Sequence, residues 1–106
     1  MTIKKLSDQE SNNDTCTFVV DGEITIYVID EMKNTLSEAL GKHVSFVLDL
    51  SAVEEVDSSC IQLLLAFRHV LMRDKKELTI SGISPQLKSL MATYRITDLF
   101  NPKGVT

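Results

Sequence analysis

An acidic residue and two hydroxyl residues stand together at the start of the most apolar stretch of this chain. The sequence VEEVDSSCIQLLLAFRHVLM runs from Val53 to Met72 and contains Asp57, Ser58 and Ser59 in tandem. A serine hydroxyl can accept a phosphoryl group, and a phosphoserine has a charge of about −1.5 to −2 and three acceptor oxygens. The triplet is therefore the first candidate for chemistry in this sequence.

Helix capping accounts for two of these three residues. The segment from Ser59 to Gln62 has the S-x-x-Q pattern of a capping box, in which Ser59 caps the helix and the Gln62 side chain returns to the cap. The acid at Asp57 is favourable beside the positive end of the helix macrodipole. Ser58 has no hydrogen-bonding role in this scheme.

The residues alone leave two interpretations of Ser58 open. In the simpler one it is an ordinary loop serine. In the other it is a phosphorylation site, and together with Asp57, Glu54 and Glu55 the phosphate forms a strongly anionic patch. A partner that docks there with its own carboxylates is then repelled, and a coupling of about 1–3 kcal/mol changes affinity about 5–150-fold.

The rest of the chain alternates between strand and helix patterns, which places the triplet between a strand and a helix. Strand segments rich in β-branched and aromatic residues are predicted at Cys16–Ile24, His43–Leu50 and Glu77–Ile83. Within the predicted strand Cys16–Ile24, the Asp21-Gly22 pair indicates a turn. The near-continuous apolar character of His43–Leu50 is typical of a strand covered on both faces. The opening TIKKLS predicts a partner strand, joined through the polar QESNND segment.

Three helical patterns alternate with these strands. Apolar residues recur at helical spacing in the ranges Ile29–Leu40, about Ser59–Met72, and Pro85–Tyr94. Gly41 ends the first helix, and Ser84-Pro85 supplies an N-cap and an N1 proline for the third. This alternation predicts a single α/β domain, with a mixed β-sheet of about four to five strands packed by three to four helices.

The second helix has apolar residues on two arcs. A helical projection places the first group on one broad arc that we interpret as the core face: Cys60, Leu63, Leu64, Phe67, Val70 and Leu71. A second strip consists of Ile61, Leu65, Arg68 and Met72. The sequence leaves open whether this strip is a second buried face or a partly exposed recognition surface.

Composition and charge limit the remaining function classes. The formal net charge is −4 and the eleven Lys and Arg residues are dispersed, which argues against nucleic-acid binding. The N-terminus has no apolar signal region and no run is long enough to cross a bilayer, so we expect a cytoplasmic protein without direct membrane insertion. Cys16 and Cys60 are predicted to be free and buried. His43 and His69 form no catalytic set with the serines, so we expect no enzyme, cofactor or metal.

Four segments together resemble the STAS domain family, the fold of bacterial anti-sigma-factor antagonists. They are DGEITIY at 21–27, VLDLS at 47–51, VDSSCIQLLL at 56–65 and ISPQLKSLM at 83–91. The resemblance covers nearly the whole chain, so we expect residues 1–106 to form one STAS domain. The strand, D-S-S and helix combination is its most specific part.

The resemblance implies a role for the serine that capping leaves unassigned. In this family the serine directly after the aspartate is phosphorylated by a partner serine kinase that is also the anti-sigma factor, and a PP2C-type phosphatase reverses the modification. By position, the acceptor is Ser58, with Asp57 and Ser59 as its neighbours. We expect partner contacts at Asp21, Glu23, Ile61, Leu65 and Arg68.

The sequence departs from the family pattern in two places. Cys60 stands where the family usually has glycine, which adds a side chain beside the acceptor. The Thr25-Ile26-Tyr27 sequence after the Gly22-Glu23 pair is more similar to STAS proteins of chemotaxis-type gene clusters than to the sporulation or stress regulators. The alternative function is a constitutive, non-phosphorylated STAS subunit of a larger complex, such as a lipid-transport ATPase or a chemotaxis-type signalling assembly.

Overall fold

The computed structural model of the chain describes residues 1–6 and 15–100. Its elements follow one another in the order β1 Thr2–Leu6, β2 Thr15–Ile24, α1 Ile29–Ala39, β3 Ser45–Val56, α2 Ser58–Arg73, β4 Glu77–Ile83, α3 Pro85–Thr93 and a 3-10 turn Thr97–Leu99. The predicted QESNND linker lies outside the described residues. The predicted helices and strands are all present, with shifted ends.

The four strands form one mixed sheet in the order β1-β2-β3-β4. β1 pairs antiparallel with β2, whereas β2, β3 and β4 run parallel to one another. Each parallel pair needs a crossover helix, so α1 and α2 both begin at the carboxyl ends of the strands. This confirms the predicted α/β fold. It also brings the starts of α1 and α2 together at the carboxyl ends of the parallel strands, which we call the carboxyl edge of the sheet.

The helices cover one face of the sheet. Alternate strand residues point to that face and are buried, and they form one core with buried residues of all three helices: Phe18, Val20, Phe46, Leu48, Ile80, Met32, Leu36, Leu64, Phe67, Leu71, Leu87 and Met91. On the other face Thr17, Val19, Val47 and Asp49 are half-buried and lie outside this core. The prediction that His43–Leu50 is covered on both faces is therefore wrong.

β3 is longer than its apolar run predicts. It continues through Ser51–Val56. β4 ends earlier, where the Ser84 N–H donates a hydrogen bond to the Leu50 carbonyl at 3.1 Å. In this extension β3 pairs with β2 through two register shifts, and Gly22 adopts a φ of 78°. Asp21-Gly22 thus lies in an irregular strand and not in a turn, because bulges disturb the alternation by which sequence patterns reveal strands.

No helix within residues 1–6 and 15–100 has the length and apolar character that a membrane crossing requires.

Gly82 allows β3 and β4 to approach closely at another register shift. A methyl group on Gly82 would lie 2.8 Å from the Asp49 Oδ1 and 3.0 Å from the Ser51 Cβ. The Asp49 oxygen is held in place by the backbone N–H of Ser51 at 3.0 Å and by its hydroxyl at 2.7 Å. These bonds also lower the pKa of Asp49, the side-chain bond being the main cause. The Asp49 carboxylate therefore cannot move easily away from a methyl group added at Gly82.

We expect Gly82→Ala to destabilise the protein by about 1–3 kcal/mol, because the new methyl group overpacks the Asp49–Ser51 contact. Gly41→Ala is the matched control, since nothing lies within 4 Å of its added methyl group. That control should change the unfolding free energy by less than about 0.5 kcal/mol. Urea unfolding of both variants measures the difference, and equal stabilities would contradict this account of Gly82.

Candidate functional site

The N-cap of α2 is Asp57 and not Ser59. Asp57 has the extended backbone of a cap residue, and its Oδ1 accepts a hydrogen bond from the Ser59 N–H at 3.0 Å. The Ser59 hydroxyl donates a further bond to the same oxygen. The predicted capping box is therefore wrong: the cap lies two residues earlier than predicted, because the carboxylate is the stronger acceptor, and the helix begins at Ser58.

The second oxygen of Asp57 fixes the loop between β2 and α1. The Ile26 N–H donates to Asp57 Oδ2 at 2.9 Å, and the Asp57 N–H donates to the Ile24 carbonyl at 3.3 Å. The Ser59 hydroxyl bond is the main cause that lowers the pKa of Asp57, and the N–H groups of Ile26 and Ser59 add to it against the effect of burial. Asp57 therefore joins two loops at the carboxyl edge as an ionised group.

Ser58 and Ser59 differ in what their hydroxyls do. Ser58 is exposed in the first turn of α2, and its hydroxyl makes no hydrogen bond to any described residue. Ser59 is half-buried and its hydroxyl is bonded to Asp57. Ser58 is thus the accessible member of the pair, as the sequence indicates, although Asp57 and not Ser59 supplies the cap.

Two exposed apolar residues beside Asp57 were missed by sequence reasoning. Ile26 and Tyr27 are 66% and 93% exposed, although the Ile26 backbone is held by Asp57. A turn closes this segment, with the Val28 N–H bonded to the Thr25 carbonyl at 3.0 Å. The apolar pair directly before the helical pattern was the available signal. Large apolar side chains that are exposed to solvent on a hydrogen-bonded segment are suited to a protein–protein interface.

The two acids predicted near Ser58 and the two acids predicted as partner contacts all lie on the extended β2–β3 pair. Asp21 and Glu23 are exposed near the end of β2, and Glu54 and Glu55 are exposed near the end of β3. The two strands are paired up to Ile24 and Val56, directly before Asp57. These four carboxylates and Ser58 therefore lie at the same edge of the sheet.

The predicted strip on α2 is not one continuous surface. Ile61 is only 2% exposed and belongs to the core, so it is not available as a partner contact. The first turn of α2 buries both Cys60 and Ile61, which makes the core arc wider there than the projection indicates. Leu65 and Arg68 are half-buried, about 10 and 15 Å along the helix from Ser58. The structure therefore separates Arg68 from the acidic residues.

Both cysteines of the chain are free and buried, as predicted. Burial, followed by the charge of Asp57, raises the pKa of the Cys60 thiol to about 12, so the thiol stays protonated. The Cys60 side chain is fully buried in the core, whereas Ser58 is exposed, so the cysteine that replaces the usual glycine adds no exposed side chain beside the acceptor. His43 precedes β3 at the opposite end of that strand, and His69 is exposed on the C-terminal half of α2.

Comparison with known proteins identifies the class of domain. The family model described as "Mlab, STAS domain" matches residues 7–101, which is most of the chain. The chain therefore belongs to the STAS domain family, and the resemblance seen in its sequence is confirmed. Among curated proteins, no sequence matches the chain significantly.

Solved structures with the same fold include anti-sigma factor antagonists. Unphosphorylated SpoIIAA gives a TM-score of 0.78 at 13% identity, over 93% of this chain and 85% of that one. An antagonist from Mycobacterium paratuberculosis gives 0.75 at 20% identity, over 93% and 83%. The phosphorylated form of Bacillus SpoIIAA gives 0.73 at 14% identity, over 93% and 88%. At these identities the likeness establishes the fold.

We expect Asp57→Ala to destabilise the protein by about 0.5–2 kcal/mol, the usual cost of losing a cap. Asp57→Asn keeps an acceptor and should lose less. Because the folded-state pKa of Asp57 is lowered, its stabilisation is complete above the unfolded pKa of about 3.9 and is lost as pH falls through the folded value. The wild type and Asp57→Ala should therefore converge in acid. Urea unfolding between neutral and acidic pH tests this, and a pH-independent gap would contradict it.

Proposed function

We propose that this protein is a partner-switching regulator that binds a regulatory protein when Ser58 is unmodified and releases it when Ser58 is phosphorylated. The main support is the contrast between the tandem serines: the Ser58 hydroxyl is exposed and without a hydrogen bond among described residues, whereas Asp57 holds the Ser59 hydroxyl. A kinase can reach the first hydroxyl without breaking an internal bond.

The surroundings of Ser58 suggest how a phosphate would weaken binding. The exposed Ile26 and Tyr27 form an apolar surface beside Asp57, and a phosphate on Ser58 would add about −1.5 to −2 charge at its margin. An interface formed there would have to remove the phosphate from water and hold it next to the Asp57 carboxylate. The desolvation and the repulsion between the two negative charges are both unfavourable.

The modification itself is compatible with the fold. A negative charge in the first turn of a helix interacts favourably with the helix macrodipole, so phosphorylation of Ser58 need not unfold α2. Asp57 already uses the Ser59 N–H, and the phosphate would therefore remain largely a surface charge. The proposed switch acts on the binding surface and not on folding.

The proposed partners follow from the family. Similar folds include anti-sigma factor antagonists, one of them solved in a phosphorylated form. We propose a serine kinase of the anti-sigma type as the binding partner and a PP2C-type phosphatase that restores the free hydroxyl. Asp21 and Glu23 remain proposed contacts at the Ser58 edge, and Leu65 would extend that surface along α2. The proposed role is binding and not catalysis.

Phosphate mapping in the native cell tests the acceptor. We expect the wild-type protein and Ser59→Ala to be phosphorylated on residue 58, and Ser58→Ala to remain unmodified with unchanged thermal stability. Intact mass and peptide mapping measure this. Ser59→Ala is the matched control because it removes the neighbouring hydroxyl, and a phosphate found on another residue of wild-type protein would overturn the assignment.

Binding of the partner tests the switch. We expect Ser58→Glu to weaken partner affinity about 5–150-fold relative to Ser58→Ala, the range of a 1–3 kcal/mol coupling. Ser37→Glu adds the same charge at an exposed position near the C-terminal end of α1, away from the proposed surface, and should bind like the wild type. Quantitative affinity capture from native extract gives the ratios. If Ser58→Glu and Ser58→Ala retain the same ATPase or scaffold proteins, the chain is a constitutive subunit.

A further inference from the structure

A groove lies at the end of α2 that is remote from Ser58. It has a volume of about 500 Å³, which is within the range of ligand sites, and it is formed by three parts of the chain. Arg68, Leu71 and Met72 contribute the C-terminal half of α2, and Leu99 and Phe100 line the groove from the 3-10 turn and the residue after it. Lys76 and residues 77–80 of β4 complete the lining.

The groove runs along the free edge of β4. Leu78 and Ile80 point towards the core face, whereas Glu77 and Thr79 point to the other face, yet all four line the same groove. Residues from both faces can line one groove only along the edge of the strand. β4 is the last strand of the sheet and pairs only with β3 among the described strands.

The backbone of β4 offers hydrogen bonds to this groove. The Glu77 N–H points to β3 and bonds the Val44 carbonyl at 3.0 Å. Because alternate residues of a strand direct their backbone groups to opposite edges, Leu78 and Ile80 direct theirs to the free edge. An exposed edge of this kind is a template for another strand.

The side chains add apolar contact and two cationic groups, Arg68 and Lys76. Met72 and Leu99 are 58% and 44% exposed at the groove, so both offer apolar surface to a bound segment. No described carboxylate forms an ion pair with Arg68, and Lys76 donates its ammonium group to the Leu40 carbonyl. Glu77, at the start of β4, is the acidic residue of the lining.

We propose that this groove binds the carboxy-terminal segment of a partner protein as an added β-strand, with Arg68 pairing with the terminal carboxylate. The four lining residues of β4 span about 13 Å, which suits a chain end of about four residues. Backbone bonds to Leu78 and Ile80 supply affinity, and apolar side chains of the segment pack against Met72 and Leu99. This surface is independent of the Ser58 switch.

The proposal is tested with the full chain and the peptide acetyl-Thr-Val-Ile-Val, made with a free carboxyl terminus or as the amide. We expect saturable NMR shifts at the Leu78 and Ile80 amides and slower hydrogen exchange there when the acid peptide is bound. Arg68→Gln should weaken binding of the acid peptide about tenfold or more, as expected for a hydrogen bond to a charged group.

Two controls make the result specific. Arg73→Gln changes an exposed arginine of the same helix that pairs with Asp74 and does not line the groove, so it should leave affinity unchanged. Arg68→Gln should bind the acid and amide peptides with equal affinity, because the terminal carboxylate adds affinity only through its pairing with Arg68.

Three results would overturn the proposal. The first is an absence of shifts in β4 at millimolar peptide. The second is equal loss of affinity in Arg68→Gln and Arg73→Gln. The third is protection of the Leu78 and Ile80 amides in the free protein equal to that of central β3 amides, which would mean that the edge is already paired. None of these results bears on Ser58.

Discussion

The carboxylate of Asp57 is the contact on which this edge of the molecule depends. One oxygen holds the N–H and hydroxyl of Ser59 and so begins α2, while the other holds the N–H of Ile26 and so positions the loop before α1. A single side chain thereby fixes the relation between two crossovers. The contrast between the two serines belongs to the same arrangement, because Asp57 engages the Ser59 hydroxyl while the exposed Ser58 hydroxyl has no hydrogen bond among the described residues.

Sheet topology explains why this contact forms. In parallel strands the carboxyl ends meet at one edge, and each is followed by the start of a helix. β3 extends past the end of β4 and stays paired with β2 up to Val56, so Asp57 emerges directly beside the segment that follows Ile24. The acids on this extension are exposed, where solvent and salt screen their mutual repulsion. A paired extension with four exposed carboxylates is therefore tolerated.

α2 connects two surfaces with different chemistry. Its sixteen residues span about 24 Å, with Ser58 at one end and Arg68 and Met72 in the half that borders the β4 groove. Between them the helix packs on the sheet through Cys60, Leu64, Phe67 and Leu71. A partner at the Ser58 edge and a strand at the groove would contact opposite ends of the sheet, so one does not occupy the surface of the other.

The sequence by itself determined the order of elements, because hydrophobic periodicity and turn residues are local. It predicted the Ser84 cap of α3, whose hydroxyl accepts from the Leu87 N–H at 3.3 Å, and the burial of both cysteines. It also indicated the STAS family, from four short segments spread along the chain. It left the Ser58 hydroxyl without a hydrogen-bonding role, although the capping box from which it did so is wrong.

Only the tertiary structure decided which group caps α2 and which apolar residues are exposed. Asp57 caps α2 through one oxygen while its second oxygen accepts from the Ile26 N–H, thirty-one positions away in the chain, and no local pattern encodes that second contact. Ile61 and Tyr27 are both apolar, yet one lies in the core and the other is exposed, because burial depends on what packs against a residue. The free edge of β4 likewise follows from strand order, which a sequence read locally does not reveal.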